Sequence, residues 1–257
     1  MHTSGFDAAL LSRVEDAGLN ASAPPQQRWL DGWLLRFSPG KAKRARCINA
    51  VAEGRLPLAH KLTLAQAAYA DAGLPMFVRI TPFSAPTGLD NALAALGMPR
   101  LDDTRVMVCT ALDRLPDVAA PPGAHWQAVG HAAFAQTVGR LRGSPLAQCQ
   151  AHAQRLELSP VPFHGLVLRR DDDGAPLACG QFALEAELAG LYDVFTAEAL
   201  RGQGLARNLC AALLRRAHAQ GARAGYLQVE GDNHAARQVY QRLGFADAYG
   251  YHYRMLP

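Results

Sequence analysis

Over residues 194–245 the chain passes through an apolar strand, a glycine-containing bend, a long helix, a second strand and a shorter helix ending in Leu-Gly-Phe. The bend, Arg201 Gly202 Gln203 Gly204 Leu205 Ala206, runs directly into residues 207–214, where Leu209, Leu213 and Leu214 recur at helical spacing. A helix that starts on such a bend has no internal partners for its first backbone N–H groups, and the positive ends of its peptide dipoles gather there, which suits an anion. Gly204 and Ala206 leave a bulky diphosphate room to approach the main chain, and Arg201 adds a formal charge. Taken alone, the hexapeptide is equally an ordinary tight turn. It also lacks the Gly-Lys-Ser/Thr ending of a nucleotide phosphate loop and the three-glycine spacing of a dinucleotide fold.

The order of the flanking residues is more specific than the bend. Val194, Phe195 and Thr196 precede it; Leu227 and Val229 follow on the next strand; then come Asn233 and, seven residues on, Tyr240 within Tyr-Gln-Arg-Leu-Gly-Phe. This series resembles the GNAT superfamily of acyl-CoA-dependent N-acetyltransferases. The resemblance implies an α/β (α+β) fold, a mixed and mostly antiparallel sheet flanked by helices, with acetyl-CoA as co-substrate and no metal. It implies acetyl transfer to a primary amine, of a small molecule or a peptide, by direct attack in a ternary complex. Val194, Phe195 and Thr196 would offer main-chain groups to the pantetheine arm and the thioester. Residues 201–206 would hold the diphosphate, and Asn233 would bond the pantetheine or cap its own helix, as asparagine does well. Tyr240 would return a proton to the departing sulfur, although a tyrosine beside Leu243 and Phe245 also reads as core. Glu198 stands where the family usually has a proline, which bears on loop rigidity.

The general base is less defined. Where some relatives carry a glutamate on the fifth strand this chain has Gln228, which cannot take a proton at neutral pH. Asp193, inside the motif strand, and Glu230 remain as alternatives, together with a chain of waters.

Composition sets the outer limits. The chain has 257 residues, 49% apolar and 19% charged, enough to bury a core, and a formal net charge of +4 that suits a polyphosphate without requiring nucleic acid. Five cysteines, an odd number without a Cys-x-x-Cys pair, point to a reducing cytoplasm. Neither an export signal over residues 1–19 nor a membrane-spanning run is evident. The nine histidines show no metal-ligand spacing, and Cys210 reads as packing. A homodimer is compatible with the sequence.

Along the chain, periodicity predicts a helix over 6–17, a strand over 28–37, a strand over 46–51, helices over 58–72 and 89–96, and strands over 76–80 and 104–110. A proline-rich linker at 116–123 follows. Beyond it come helices over 131–141 and 145–156 and strands over 164–170, 176–184 and 190–196. The two sides of the linker repeat each other: Gly97 lies 147 residues before Gly244, and Gly73 lies 148 before Gly221. Two tandem GNAT-like folds are therefore expected, a degenerate one over 1–115 and an acetyl-CoA-binding catalytic one over 124–257. In the first, Glu53 to Leu58 replaces the glycine bend and Leu93 stands at the place of Tyr240, so its expected role is a wall or lid. Lys41, Lys43, Arg44 and Arg46 form the one basic cluster. It could face the acceptor and recognise an acidic group, or, in the alternative reading of a catalytically inactive module, engage nucleic acid or an acidic partner.

Overall fold

The computed structural model describes residues 5–40 and 42–256, and its first surprise lies at Asp31 and Gly32. The alternation over 28–37 predicts one strand, but both of these residues take positive φ, 43° and 83°, and fold the segment into a hairpin of β1 (Gln26–Leu30) and β2 (Trp33–Phe37). Asp-Gly is a favoured pair for a two-residue turn whose twist matches the strands. α1 (Ala8–Ala21) comes before the hairpin. After it come β3 (Ile48–Ala50), α2 (Leu58–Asp71), β4 (Phe77–Ile80), α3 (Leu89–Ala95) and β5 (Arg100–Cys109). Residues 116–123 form no helix or strand. Beyond them are β6 (Ala124–Val129), α4 (His131–Arg142), α5 (Leu146–Glu157), β7 (Phe163–Arg170), β8 (Pro176–Glu185), β9 (Leu188–Thr196), α6 (Leu205–Ala219), β10 (Ala224–Glu230), α7 (His234–Gln241) and β11 (Ala246–Met255). Edge strand β6 has no counterpart among the predicted elements, although Ala124, Trp126 and Ala128 alternate with His125 and Gln127.

Among the described residues all eleven strands join one mostly antiparallel sheet in the order β1-β2-β3-β4-β11-β5-β10-β9-β8-β7-β6. The centre of that order shows an exchange. β11, from the end of the chain, lies between β4 and β5 of the first half, while β5 lies between β11 and β10 of the second. Each half thus lends its last strand to the other.

The repeat persists at the level of single hydrogen bonds. At the end of α3, Met98 N–H bonds Leu93 O at 3.2 Å and Gly97 N–H bonds Ala94 O at 2.9 Å; at the end of α7, Phe245 N–H bonds Tyr240 O at 3.1 Å and Gly244 N–H bonds Gln241 O at 3.0 Å. The ends of α2 and α6 match likewise, through Gly73 and Leu74 in one and Gly221 and Ala222 in the other. All four corners are glycine-terminated helix ends with positive φ at the glycine. The fold is a tandem of two matching units, as the repeat predicts.

Helices cover both faces. Leu11, Val14 and Ala17 of α1, Phe134 and Val138 of α4 and Leu156 of α5 pack on one face, against side chains that include Val106, Val108, Tyr192, Tyr226 and Tyr251. On the other, α6 packs over Met107, Phe182 and Leu227, and α2 and α3 pack over Val78 and Ile80. Among the described residues no helix is long and apolar enough to cross a membrane.

Because β5 and β11 tie the halves together, native-state hydrogen exchange should give β4 and β10 amides the same opening free energy. Values that differ by more than about 2 kcal/mol would show that the halves open separately.

Candidate functional site

The parallel pairing of β9 with β10 stops early. Leu188, Ala189 and Gly190 face Ala224, Gly225 and Tyr226, and beyond that point the two strands share no ladder. β10 continues on β5 as far as Glu230, while β9 stays with β8 through Thr196. The divergence coincides with a bulge: the β8 register shifts between Tyr192 and Phe195, and Asp193 takes φ 52°. An extra residue of this kind bends the strand that carries it. At the fork the Tyr192 and Tyr226 hydroxyls lie 3.1 Å apart, and a Cβ on Gly190 would collide with both rings. The edge of β9 that carries Val194, Phe195 and Thr196 is therefore open on the β10 side. The Val194 side chain packs toward Leu209 and Leu213 of α6, and the Thr196 hydroxyl oxygen is buried without a hydrogen-bond partner among the described residues.

The glycine bend lies at the start of α6. Arg201, Gly202, Gln203 and Gly204 are exposed, Leu205 is buried and Ala206 half-buried. Gly202 and Gly204 have φ 79° and 80° with open space where a side chain would stand, so glycine is required there by backbone conformation. The first bond of the helix runs from Asn208 N–H to Gly204 O at 3.1 Å, which leaves the N–H groups of Leu205, Ala206 and Arg207 facing the bend. The Arg201 guanidinium lies 5.4 Å from the centre of the Phe195 ring. Beside the first turns of α6 is a cavity of about 560 Å³, whose lining includes Arg114, Arg207, Asn208 and Arg242. None of these three arginines has an acidic partner among the described residues. Sequence reasoning missed them because they come from three separated segments.

Asn233 caps α7: its Oδ1 accepts from Ala236 N–H at 3.1 Å. Tyr240 lies on the α6 side of the sheet, half-buried, with its ring 6.1 Å from that of Phe245. Burial, with Cys210 nearby, raises the phenol above its usual range, so it keeps its proton. Its hydroxyl makes no hydrogen bond to another described residue. Cys210 is fully buried and its thiol is pushed up to about 12 by burial, which makes it inert packing. Strand alternation sends Tyr226, Gln228 and Glu230 to the opposite face, toward α1. There Gln228 Oε1 accepts from the Tyr251 hydroxyl at 2.8 Å, while Glu230 is exposed at the strand end.

Asp193 is not placed to act as a base, which corrects one of the two sequence alternatives. Its carboxylate accepts from Arg142 Nη1 at 3.0 Å and Gln181 Nε2 at 2.8 Å, with His152 Nε2 at 3.3 Å. These partners outweigh burial and hold its pKa well below the carboxylate value of 3.8, so its affinity for a proton is weak. Arg142, Gln181 and His152 were not legible in the sequence, since only the bulge and the α4–α5 pair bring them together.

In the first half the same architecture is filled from within. Asp31, from the hairpin turn, accepts from the N–H groups of Arg55 and Leu56 at 2.8 and 2.9 Å, with Lys61 Nζ at 3.2 Å. These amides stand where the repeat places the glycine bend, and the chain's own carboxylate binds them. The matching opening between β3 and β4 is a cavity of about 260 Å³ lined in part by Glu15, Asn49 and Arg79. Glu15 there pairs with Arg79 and accepts from the Tyr249 hydroxyl at 2.7 Å. Of the basic cluster, Lys41 lies outside the described residues, Lys43 pairs with Asp102 at 2.7 Å, and Arg46 lies over Phe77. Arg44 turns to the fork of the second half, 5.7 Å from the centre of the Tyr192 ring, while Lys43 Nζ also lies 5.9 Å from the centre of the Tyr253 ring on β11.

Comparison with known proteins places this mixed α/β fold. Residues 134–245 match the Acetyltransferase (GNAT) family. The chain is 26% identical over 231 residues to the "Uncharacterized N-acetyltransferase YobR" of Bacillus subtilis (strain 168), covering 89% of this chain and 92% of that protein. Among solved structures it resembles a GCN5-related N-acetyltransferase from Kribbella flavida, with TM-score 0.72 at 18% identity over 99% and 97% of the two chains. It also resembles a tandem GNAT protein from the clavulanic acid biosynthesis pathway, with TM-score 0.65 at 17% identity over 77% and 69%. Residues 134–245 are a GNAT family domain, and the tandem arrangement has precedent among its structural neighbours.

Because the folded-state pKa of Asp193 is depressed, its stabilisation is present above the ordinary value of 3.8 and is lost as pH falls below it. Asp193→Asn is expected to cost about 2 kcal/mol at pH 7 by weakening the charge-assisted hydrogen bonds from Arg142 and Gln181. The deficit should shrink below about pH 4 in urea unfolding. A deficit that does not vary with pH would refute this assignment.

Proposed function

We propose that the protein is an N-acetyltransferase that moves the acetyl group of acetyl-CoA to a primary amine by direct attack in a ternary complex. The observation that carries this reading is the open fork of β9 and β10 set against the free first turn of α6, both inside the family domain. The chain divides in this reading into a second half, 124–257, that binds acetyl-CoA, and a first half, 1–115, that forms a wall.

The residues present fit a CoA thioester. The N–H groups of Leu205, Ala206 and Arg207 and the positive end of α6 would hold the diphosphate, with Arg201, Gly202, Gln203 and Gly204 shaping the bend. Arg114, Arg207 and Arg242 add charge suited to the remaining phosphate. The free edge of Val194, Phe195 and Thr196, with the unpartnered Thr196 hydroxyl, would receive the amide-rich arm. Asn233 shapes this end of the site by capping α7. Acetyl-CoA when bound supplies the activated acyl group.

What the chain itself adds is orientation and proton handling. Holding amine and carbonyl together in the fork makes attack effectively unimolecular. Tyr240, kept protonated by burial, donates to the leaving sulfur. Glu230, on the acceptor face at the end of β10, takes the amine proton, directly or through water. Asp193 positions Arg142, His152 and Gln181 around the fork.

Acetyl-CoA at about 100 times its dissociation constant should stabilise the fold by roughly 2.7 kcal/mol, read as a thermal shift. No shift would remove the basis of the proposal. Tyr240→Phe should lower kcat by about one to two orders of magnitude with acetyl-CoA affinity nearly intact, and unchanged turnover would show that the phenol is not the acid. Glu230→Gln should lower kcat without changing acetyl-CoA affinity; full activity would assign the proton to solvent.

A further inference from the structure

We infer that the acetyl acceptor is an amine that also bears an oxyanion, a carboxylate or a phosphate, received by Arg44 of the first half and Arg155 of α5. The inference rests on the acetyltransferase reading and concerns the face of the sheet opposite the glycine bend, where Tyr192, Gln228 and Asp193 border the fork.

Two guanidinium groups line that face without a carboxylate partner of their own among the described residues. Arg44, on the turn at Lys43–Ala45, stands over Tyr192, half-buried and within electrostatic reach of Tyr251, Tyr253 and Asp193. Arg155 is also half-buried, 5.7 Å from the centre of the Phe163 ring, and among the described residues its side chain makes one hydrogen bond, a long one from Nη1 to Ala21 O at 3.5 Å. Arg44 and Arg155 stand over adjoining rings, Tyr192 and Phe163, whose centres are 5.5 Å apart, and burial with Arg44 nearby makes the charged form of Arg155 less favourable than usual. Asp193 is the acid that both feel, but its oxygens already face Arg142, Gln181 and His152. The wall therefore carries more positive charge than it neutralises.

Half-buried charges of one sign disfavour each other, and a ligand oxyanion would relieve that repulsion while gaining charge-assisted, planar hydrogen bonds. The neighbouring basic residues do not compete for this role, since Lys43 is matched by Asp102 and Arg46 lies over Phe77. An anion held between α5 and the Arg44 turn would leave the substrate's amine free to reach the fork. The first half thereby gains a role of its own, because it supplies one of the two recognition residues to a site on the second.

Product binding tests the inference. CoA is titrated first by calorimetry. Then N-acetyl amino acids and their C-terminal amides, and N-acetyl-O-phosphoethanolamine and N-acetylethanolamine, are titrated as matched pairs into the CoA-bound protein. At least one anionic member should bind about tenfold or more tightly than its neutral twin, and the pair that does so separates carboxylate from phosphate. Arg44→Gln and Arg155→Gln should each bring that ratio toward unity with CoA affinity unchanged, and Arg44→Lys should keep part of it. Neutral twins bound as well as the anions, or ratios unmoved in both glutamine variants, would overturn the inference while leaving the acetyltransferase reading intact. Failure of CoA itself to bind would overturn both.

Discussion

The antiparallel pairing of β5 with β11 at the middle of the sheet is the contact on which the other arrangements depend. Each strand ends its own half in sequence and completes the opposite half in space. Val106 and Val108 of β5 and Tyr249, Tyr251 and Tyr253 of β11 share one buried cluster with α1, α4 and α5. The core is therefore common to both halves, and the linker at 116–123 separates the chain without separating the sheet. Burial of apolar area across this junction, rather than any single ion pair, sets the relative position of the halves.

That position has a functional consequence. β10 is held straight by β5 up to Glu230, while the bulge at Asp193 turns β9 away, so the fork results from one strand that is anchored and one that bends. Asp193 keeps the bend in place through Arg142, Gln181 and His152, a use of the carboxylate that competes with proton transfer. Acidity and structure are linked here: the partners that make Asp193 a good anchor make it a poor base. The first half carries a parallel pair of its own, β3 with β4, and lines its opening with charged groups. Asp31 takes the amides at 55 and 56, and the Glu15–Arg79 pair lines the cavity above.

Much of the fold was legible because periodicity and glycine placement act locally. The four glycine-terminated helix ends were visible as a repeat near 147 residues, and their backbone bonds follow the same spacing. Asn233 as a cap and Cys210 as packing were also readable, since both depend on neighbours within a turn or two. The hairpin at Asp31–Gly32 was readable in principle, but the apolar alternation around it masked the turn. Edge strand β6 was also readable in principle, since Ala124, Trp126 and Ala128 alternate with His125 and Gln127. The surroundings of Asp193 and the arginine-lined cavity were beyond reach, because each assembles residues from segments far apart in sequence.

The sequence by itself determined the local devices: a bend that only glycines at 202 and 204 can make, a helix start free to meet an anion, a tyrosine at a set distance beyond a capping asparagine, and two copies of one strand-helix order. Tertiary structure alone decided that the copies exchange their last strands, that Asp193 anchors instead of accepting a proton, and that Arg44 crosses to the other half's fork. The reason is range. Backbone conformation and capping are settled within a few residues, whereas charge balance and strand partnership depend on which distant segments the shared core brings together.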